Sequence, residues 1–370
     1  MAVDDLAVQA GVARPDAQVS AVELAALERA CELADRGAGT VLPNPAVGCV
    51  LLAPDGAVVG EGFHERAGGP HAEVVALGVA GGLARGATAV VTLEPCNHTG
   101  RTGPCSEALI AAGVSRVVVA VRDPWPTAAG GIDRLREAGV DVADISGSAT
   151  GVVRRARDVN RVWLGAVRSA RPFVTLKAAM SLDGRVAAPD GSARWISSEE
   201  SRADAHLMRN RIDTIMVGVG TVLADDPSLT ARAADGTLTG RQPLRVVVDK
   251  HGRTPEHAKI RDTRAETLIA TADAYGAGRD GRVDLAALLR DLYQRGRRHV
   301  LVEGGPRLAA SFLDAGLVDE VLIYLAPLLL GAGRSAVEGG EIATLTDARR
   351  LELVESRHLG PDLALRYRMI

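Results

Sequence analysis

The chain has 370 residues, of which 47% are hydrophobic and 3% aromatic, and its formal net charge is -3. That length suits two domains of roughly 150–200 residues, with cores built mostly from Val, Leu, Ile and Ala. The acidic balance and the scarcity of rings offer neither attraction to a phosphate backbone nor base-stacking platforms, so a nucleic-acid partner is disfavoured.

Residues 1–19 read as a mobile tail, with two acids and no continuous apolar stretch, unlike a signal or transit peptide. Later apolar runs are broken by Gly or charge before spanning length, so no membrane association is expected. Four cysteines in so long a chain make no disulfide framework, and a reducing cytoplasm is the simplest home. Ser20 and Glu23 match a capping box and open a helix that stops at Gly37. Ala46–Leu52 and Ala57–Phe63 read as strands joined at Pro54-Asp55-Gly56. A helix at His71–Ala80, a buried strand at Ala89–Leu93, a polar loop at Pro95–Pro104 and a helix at Cys105–Ala112 follow. Strand Val117–Val121, helix Ile132–Ala138 and strand Val140–Ile145 continue the pattern into one long Arg-rich helical stretch, Ala149–Ser169.

After Arg171-Pro172 the pattern restarts with strand Phe173–Ala178, which places a boundary between residues 169 and 170. The second half reads as helix Ser198–Arg211, then strands Thr214–Val219, Leu244–Asp249 and Glu266–Ala270. Helix Leu285–Arg295, strand His299–Val302, helix Pro306–Ala315 and strand Glu320–Leu325 complete it. Both halves are therefore α/β, with helices over a mixed or parallel sheet, and no internal repeat links them.

The first half carries the sharper chemistry. His71-Ala72-Glu73 is followed by Pro95-Cys96 and then Cys105. One imidazole and two thiolates suit zinc and leave the fourth tetrahedral position to water, which is the catalytic arrangement. The metal acidifies that water, and Glu73, near the site without needing to ligate, is placed to carry its proton. This is the H-x-E plus P-C…C signature of the zinc deaminases, although the usual cysteine spacing is shorter than the eight intervening residues here. A purely structural zinc module would have no use for Glu73. Cys31 and Cys49 sit in apolar patterns and read as core, while His98, between the cysteines, suits a substrate contact better than a fourth ligand. In the second half, strand His299–Val302 runs through Glu303-Gly304-Gly305-Pro306 into an apolar helix, a weak phosphate-site signal that lacks the G-x-G-x-x-G fingerprint.

Longer motifs sharpen this. Asn44-Pro45-Ala46-Val47-Gly48, Gly62-Phe63-His64 and the stretch Glu94 to Cys105 resemble the bifunctional riboflavin-biosynthesis deaminase/reductase family, which shares the eight-residue gap. The resemblance continues through Lys177-Ala178-Ala179-Met180-Ser181-Leu182-Asp183-Gly184-Arg185, Trp195-Ile196-Ser197-Ser198, Gly220 to Thr230, Val302 to Pro306 and Ala326-Pro327. It covers the chain from about residue 20 to its end.

The resemblance implies a cytidine-deaminase-like three-layer domain over 20–169 and a dihydrofolate-reductase-like domain over 170–370. It implies deamination of 2,5-diamino-6-ribosylamino-4(3H)-pyrimidinone 5′-phosphate, then NADPH-dependent reduction of the ribosyl group to ribityl. Zinc and NADPH would be the cofactors, a small phosphorylated aminopyrimidine the substrate, and a dimer or higher homo-oligomer the assembly. Asn44, His64, His98 and Arg101 would meet the pyrimidine or its phosphate. Ala179, Trp195, Thr221, Asp225 and the run Gly305, Pro306, Arg307, Leu308, Ala309, Ala310 and Ser311 would line the NADPH site. Arg209, Leu229, Arg232 and Glu303 would meet the phosphosugar, with Lys177 and Glu303 around the reacting carbon. Lys177, Asp225 and Glu303 all remain open as the proton source. Gly103 and Ala193 depart from the family pattern, and Ala272–Arg282 matches nothing assignable.

Overall fold

The computed structural model describes residues 19–99, 103–233, 235–278, 281–340 and 342–370. Residues 1–18 of the expected tail and Arg101 lie outside them. Contacts divide the chain into two compact units, one holding the residues up to Ala38 and Ala46–Asn160, the other Gly39–Pro45 and Arg161–Ile370.

The first unit opens with helix α1 (Ala21–Gly37), whose start follows the sequence signal. The Glu23 N–H donates to Ser20 Oγ at 3.2 Å and the Ser20 N–H donates to Glu23 Oε2 at 2.7 Å, a reciprocal cap contributing about 1 kcal/mol. Strands β1 (Gly48–Leu52) and β2 (Val58–Phe63) form an antiparallel pair, followed by α2 (Ala72–Ala80) and β3 (Thr88–Val91). Then come α3 (Cys105–Ala111), β4 (Arg116–Val119), α4 (Gly131–Glu137), β5 (Asp141–Asp144) and α5 (Gly151–Val159). The sheet order is β2-β1-β3-β4-β5, with β3, β4 and β5 parallel and β1 antiparallel to both its neighbours. Alternation along β1 serves two helical layers. Gly48 abuts α1, while Cys49 and Leu51 join the core formed with Ala72 and Ala76 of α2, Leu109 of α3 and Leu135 of α4. A Cβ at Gly60 or Gly62 of β2 would overlap the carbonyl of Ala76 or Ala72, so these glycines let α2 lie directly on the sheet.

The helical stretch expected over 149–169 is two helices, α5 and α6 (Arg161–Ser169). Asn160 separates them because its side chain is committed elsewhere. Its Oδ1 accepts from the Ala46 N–H at 2.9 Å and its Nδ2 donates to the Ala46 carbonyl at 2.7 Å.

The second unit holds an eight-stranded sheet. Its elements in order are β6 (Phe173–Ser181), β7 (Arg185–Ala187), α7 (Glu199–Arg211), β8 (Thr214–Gly218), α8 (Val219–Asp225), β9 (Leu244–Val248) and β10 (Thr267–Ala270). Next are α9 (Ala272–Tyr275), α10 (Leu285–Gln294), β11 (His299–Val302), α11 (Pro306–Asp314) and β12 (Glu320–Ala326). The short β13 (Arg334–Ser335) pairs with β7, and β14 (Leu351–Leu359) and β15 (Asp362–Met369) make a C-terminal hairpin. The sheet order is β10-β9-β8-β11-β6-β12-β15-β14, parallel from β10 to β12 and antiparallel beyond. Both faces of the parallel part are covered, which explains its continuous apolar runs. Met216, Val246, Val300 and Val302 pack with α10 and α11, whereas Ile215, Val217, Val247 and Leu301 pack on the opposite face. Each such Val or Leu taken fully out of water contributes about 1.5–3 kcal/mol. Sequence periodicity gave no sign of α8, β7, β13 or the β14–β15 hairpin.

Candidate active sites

Three chain segments converge in the first unit. His71 is the N-cap of α2, Cys105 is the first residue of α3, and Cys96 lies on the loop beyond β3. That loop is pinned by Glu94, whose carboxylate accepts from the N–H groups of Asp123, Gly130 and Ile132 at 3.1 Å each. The donor atoms of His71, Cys96 and Cys105 all lie within 4.8 Å of one another, the one such cluster among the described residues. His71 Nδ1 is 3.2 Å from Cys105 Sγ and 3.5 Å from Cys96 Sγ, and the Cys105 N–H donates to Cys96 Sγ at 3.4 Å. One nitrogen and two sulfurs gathered this closely form a donor set that fits zinc. The hydrogen bond from the Cys105 thiol, with His71 and the Cys105 N–H, pushes Cys96 below its ordinary value, against the effect of burial. The same sharing, with burial, raises Cys105.

Glu73 is buried beside this set and interacts with the Cys105 thiol, and burial foremost raises its carboxyl above the usual range. Raised basicity suits a proton carrier, which must take up a proton as well as release it. His64 is also buried, edge-on to His71 with ring centroids 5.2 Å apart. Its Nδ1 donates to the Pro70 carbonyl at 2.9 Å, and burial foremost lowers its basicity. His98 is exposed and stands outside the metal cluster. Asn44 is half-buried on the 39–45 segment, which groups with the second unit. Sequence reasoning missed Asp123, a buried carboxyl pushed up to about 6 by burial first and then by the charges of Glu94 and Cys96, against the Trp125 N–H it accepts. Its signal was an acid-proline pair shortly after the buried strand β4.

Cys31 and Cys49 are buried, unpaired core thiols. Burial pushes Cys31 up to about 12 and Cys49 well above its ordinary value, so neither is a reactive thiolate.

In the second unit, Glu303 follows β11 and points between two cations. Arg209 of α7 clamps it through two bonds of 2.8 and 2.9 Å, and Lys177 of β6 lies 3.8 Å from its Oε2. Burial opposes the anion, yet the charges of Arg209 and then Lys177 hold Glu303 down at about 2. Arg232 bonds the Gly236 carbonyl at 2.7 Å. Leu229 is buried with a left-handed backbone (φ 48°).

Strands β8 and β11 are neighbours, and each runs into a helix through glycine, at Gly218 before α8 and at Gly304-Gly305 before α11. A Cβ built on Gly305 would sit 3.7 Å from Thr221 Oγ1, so these two residues face each other at the strand ends. Bare backbone at the start of α11 suits a dinucleotide phosphate, and the site fits NADPH on that ground. Pro306 takes the first helical turn, where its missing N–H costs nothing. Leu308, Ala309 and Ala310 turn their side chains into the core, so backbone is what they offer a ligand. Arg307 is exposed, and Ser311 accepts from Arg282 at 2.6 Å, which ties the unassigned Ala272–Arg282 segment to α11. Ala179 is half-buried on β6, while Asp225 is exposed at the end of α8. Trp195 is 67% exposed with the Arg202 guanidinium 4.5 Å from its ring centre.

Three further groups around Glu303 escaped sequence reasoning. His206, one turn before Arg209 on α7, buries its Nδ1 without a hydrogen-bond partner among the described residues. Burial lowers its basicity, with Arg209 adding to the effect. Tyr324 and Asp204 complete the surroundings of Lys177, and the i,i+3 spacing of His206 and Arg209 on one helix was the available signal.

The comparisons with known proteins agree with this geometry. Residues 21–121 match the family model "Cytidine and deoxycytidylate deaminase zinc-binding region", and residues 172–365 match "RibD C-terminal domain". The chain is 47% identical over 329 residues to the riboflavin biosynthesis protein RibD of Mycobacterium tuberculosis, covering 88% of this chain and 91% of that protein. Against the Escherichia coli protein of the same name it is 43% identical over 365 residues, covering 92% and 97%. A solved Thermotoga maritima structure named diaminohydroxyphosphoribosylaminopyrimidine deaminase/5-amino-6-(5-phosphoribosylamino)uracil reductase superposes with a TM-score of 0.83 at 33% identity, covering 94% of this chain and 99% of that one. Acinetobacter baumannii RibD gives a TM-score of 0.83 at 38% identity with the same coverage.

Proposed function

This chain belongs to the RibD family of bifunctional riboflavin-biosynthesis enzymes, and from that premise we propose how its own residues perform the two reactions. It has a cytidine-deaminase-like zinc domain and a dihydrofolate-reductase-like domain that uses NADPH. The substrate is 2,5-diamino-6-ribosylamino-4(3H)-pyrimidinone 5′-phosphate, an inference supported by the name of the Thermotoga relative. We assign residues 20–169 to the deaminase domain and residues 170–370 to the reductase domain, while contacts change unit earlier, between Asn160 and Arg161.

Bound zinc supplies a water acidic enough to lose a proton near neutrality, and bound NADPH supplies hydride. His71, Cys96 and Cys105 would hold the metal. Glu73 carries one proton of the attacking water to the ring nitrogen and then the second to the departing amine, so that an amine and water become a carbonyl and ammonia. His64 and His98 meet the pyrimidine, and Asn44 and Arg101 hold its ring amide and phosphate.

In the second site the opened sugar presents a C=N bond, whose carbon accepts hydride and whose nitrogen gains a proton. Glu303 is held as the carboxylate, and Asp225 is an exposed side chain at the end of α8. Lys177 is therefore the donor, and Glu303 with Arg209 orients it. Arg232 and Leu229 meet the phosphosugar. Thr221, Ala179, Trp195, Asp225 and the Gly305–Ser311 turn receive the cofactor.

The observation that carries this reading is the His71–Cys96–Cys105 cluster with Glu73 buried against it. Mass spectrometry of the diaminopyrimidine ribosyl phosphate after incubation with zinc-loaded protein tests it. Exchange of an amine for oxygen without NADPH, then a gain of two hydrogens with it, is expected. Exchange alone would sink the reductase assignment, and neither change would sink the substrate assignment.

A homo-oligomer, dimer or higher, is supported by the open edge of β14, where Leu351, Leu353 and Val354 are exposed. Sedimentation at micromolar concentration tests that, a monomer counting against it. Free buried thiols support a reducing cytoplasm, and no described helix is long and apolar enough to cross a membrane.

A further inference from the structure

Of the 43 basic residues of the chain only Lys177, Lys250 and Lys259 are lysines. Lys250 and Lys259 are exposed, whereas Lys177 turns inward beside Glu303. In a chain that otherwise uses arginine, this ammonium stands where a guanidinium does not serve. Arginine cannot give up its proton under working conditions, and lysine can.

A proton donor must also be held in place, and a lysine stem has four rotatable bonds. The structure supplies the restraint from the neighbouring strand. Lys177 of β6 lies opposite Leu322 of β12, and Tyr324 follows two positions later on the same face. Lys177 Nζ sits 5.4 Å from the centre of the Tyr324 ring, within cation–π range. The ring is itself fixed. Tyr324 is 1% exposed, and its hydroxyl donates to Asp204 Oδ2 at 2.8 Å. Arg357 of β14 donates to both Asp204 oxygens at 2.9 and 3.0 Å. Helix α7 thus secures both neighbours of the ammonium, the phenol through Asp204 and the Glu303 carboxylate through Arg209.

We propose that Tyr324 is a positioning residue for the reduction, its ring face and Glu303 together holding the Lys177 ammonium, with Asp204 and Arg357 locking the ring. The proposal rests on the reading of Lys177 as proton donor. Tyr324 is not a second donor in this scheme. Its hydroxyl hydrogen is committed to Asp204, and burial and then that carboxylate raise its pKa.

Lysine labelled with ¹³C and ¹⁵N gives three sets of side-chain signals in the full-length protein, and Lys177 is identified by its loss in Lys177→Met. Its ε-methylene protons are expected to be shifted upfield by the Tyr324 ring current without any ligand present. Tyr324→Phe keeps the ring face but loses its bond to Asp204, so the shift persists in weakened form and the reduction rate falls only a few-fold. Tyr324→Leu abolishes the shift and lowers kcat for reduction about tenfold, with KM for the substrate and the deamination rate unchanged. Asp204→Asn, at a partly exposed site, unlocks the ring without emptying the core, so it broadens or weakens the shift and lowers kcat a few-fold. It decides the question should Tyr324→Leu fail to fold. An unshifted Lys177 signal in the wild type, or a rise in KM with unchanged kcat in these variants, overturns the positioning role. Reduction that survives in Lys177→Met overturns the donor reading beneath it.

Discussion

Arg209 and Glu303, 94 residues apart in sequence, face each other through two parallel hydrogen bonds of 2.8 and 2.9 Å. The pair is largely shielded, its side chains 16% and 10% exposed, so cutting one side leaves a poorly solvated carboxylate with Lys177 as its remaining cation. Arg209→Ala is expected to destabilise the second unit by about 3–5 kcal/mol and abolish reduction, while deamination persists. Arg209→Lys keeps the charge without the fork and falls between. Denaturant unfolding with both activity assays checks this, and a loss of under 1 kcal/mol in Arg209→Ala would contradict the clamp.

The same pair sets a pH dependence. Glu303 is lowered from 4.5 to about 2 in the folded chain, a depressed carboxylate pKa. Its ionisation therefore stabilises the fold above about pH 4.5, by about 3 kcal/mol at most, and that contribution is lost as pH falls toward 2. Unfolding free energies measured between pH 7 and pH 2.5 should decline less steeply in Glu303→Gln than in the wild type. Parallel curves would mean that other carboxylates govern the acid limb.

What was legible in the sequence was whatever is local in it. His71 and Glu73 share one helix start, and Cys96 and Cys105 flank one loop, so their chemistry could be read from spacing. The Arg209–Glu303 clamp could not, because it depends on α7 lying beside the end of β11. The break at Asn160 was hidden because its cause is a bond to Ala46, 114 residues away. Strand β14 was hidden for another reason. As an edge strand it is exposed along almost its whole length and shows no alternation between core and solvent.

Removing zinc ligands and removing the proton carrier should separate cleanly. Cys96→Ser and Cys105→Ser are expected to lose both bound zinc and deamination, since the donor set falls from three soft or borderline ligands to two. Glu73→Gln keeps the side-chain volume and should keep zinc near one per chain, while deamination falls about 10²–10⁴-fold. Atomic emission on the purified variants, beside the product assay, distinguishes the two classes. Zinc loss in Glu73→Gln would make Glu73 part of the metal's support rather than a proton carrier.

Gly304 and Gly305 are adjacent, yet a methyl group added to each should do opposite things. A Cβ on Gly304 would come within 2.6 Å of Leu308 Cδ2 and 3.1 Å of its Cβ, inside the packed core. Gly304→Ala therefore forces Leu308 to move and should cost about 1–3 kcal/mol of stability. Gly305 has φ -66° and ψ 170°, which alanine adopts freely, and its Cβ would meet Thr221 Oγ1 at an ordinary 3.7 Å. Gly305→Ala should fold like the wild type but place a methyl where the cofactor phosphate approaches the start of α11. NADPH fluorescence titration should then show affinity weakened about tenfold or more, with the unfolding midpoint unchanged. Undiminished NADPH affinity in a stable Gly305→Ala would move the cofactor phosphates away from this helix start, to the neighbouring α8 turn.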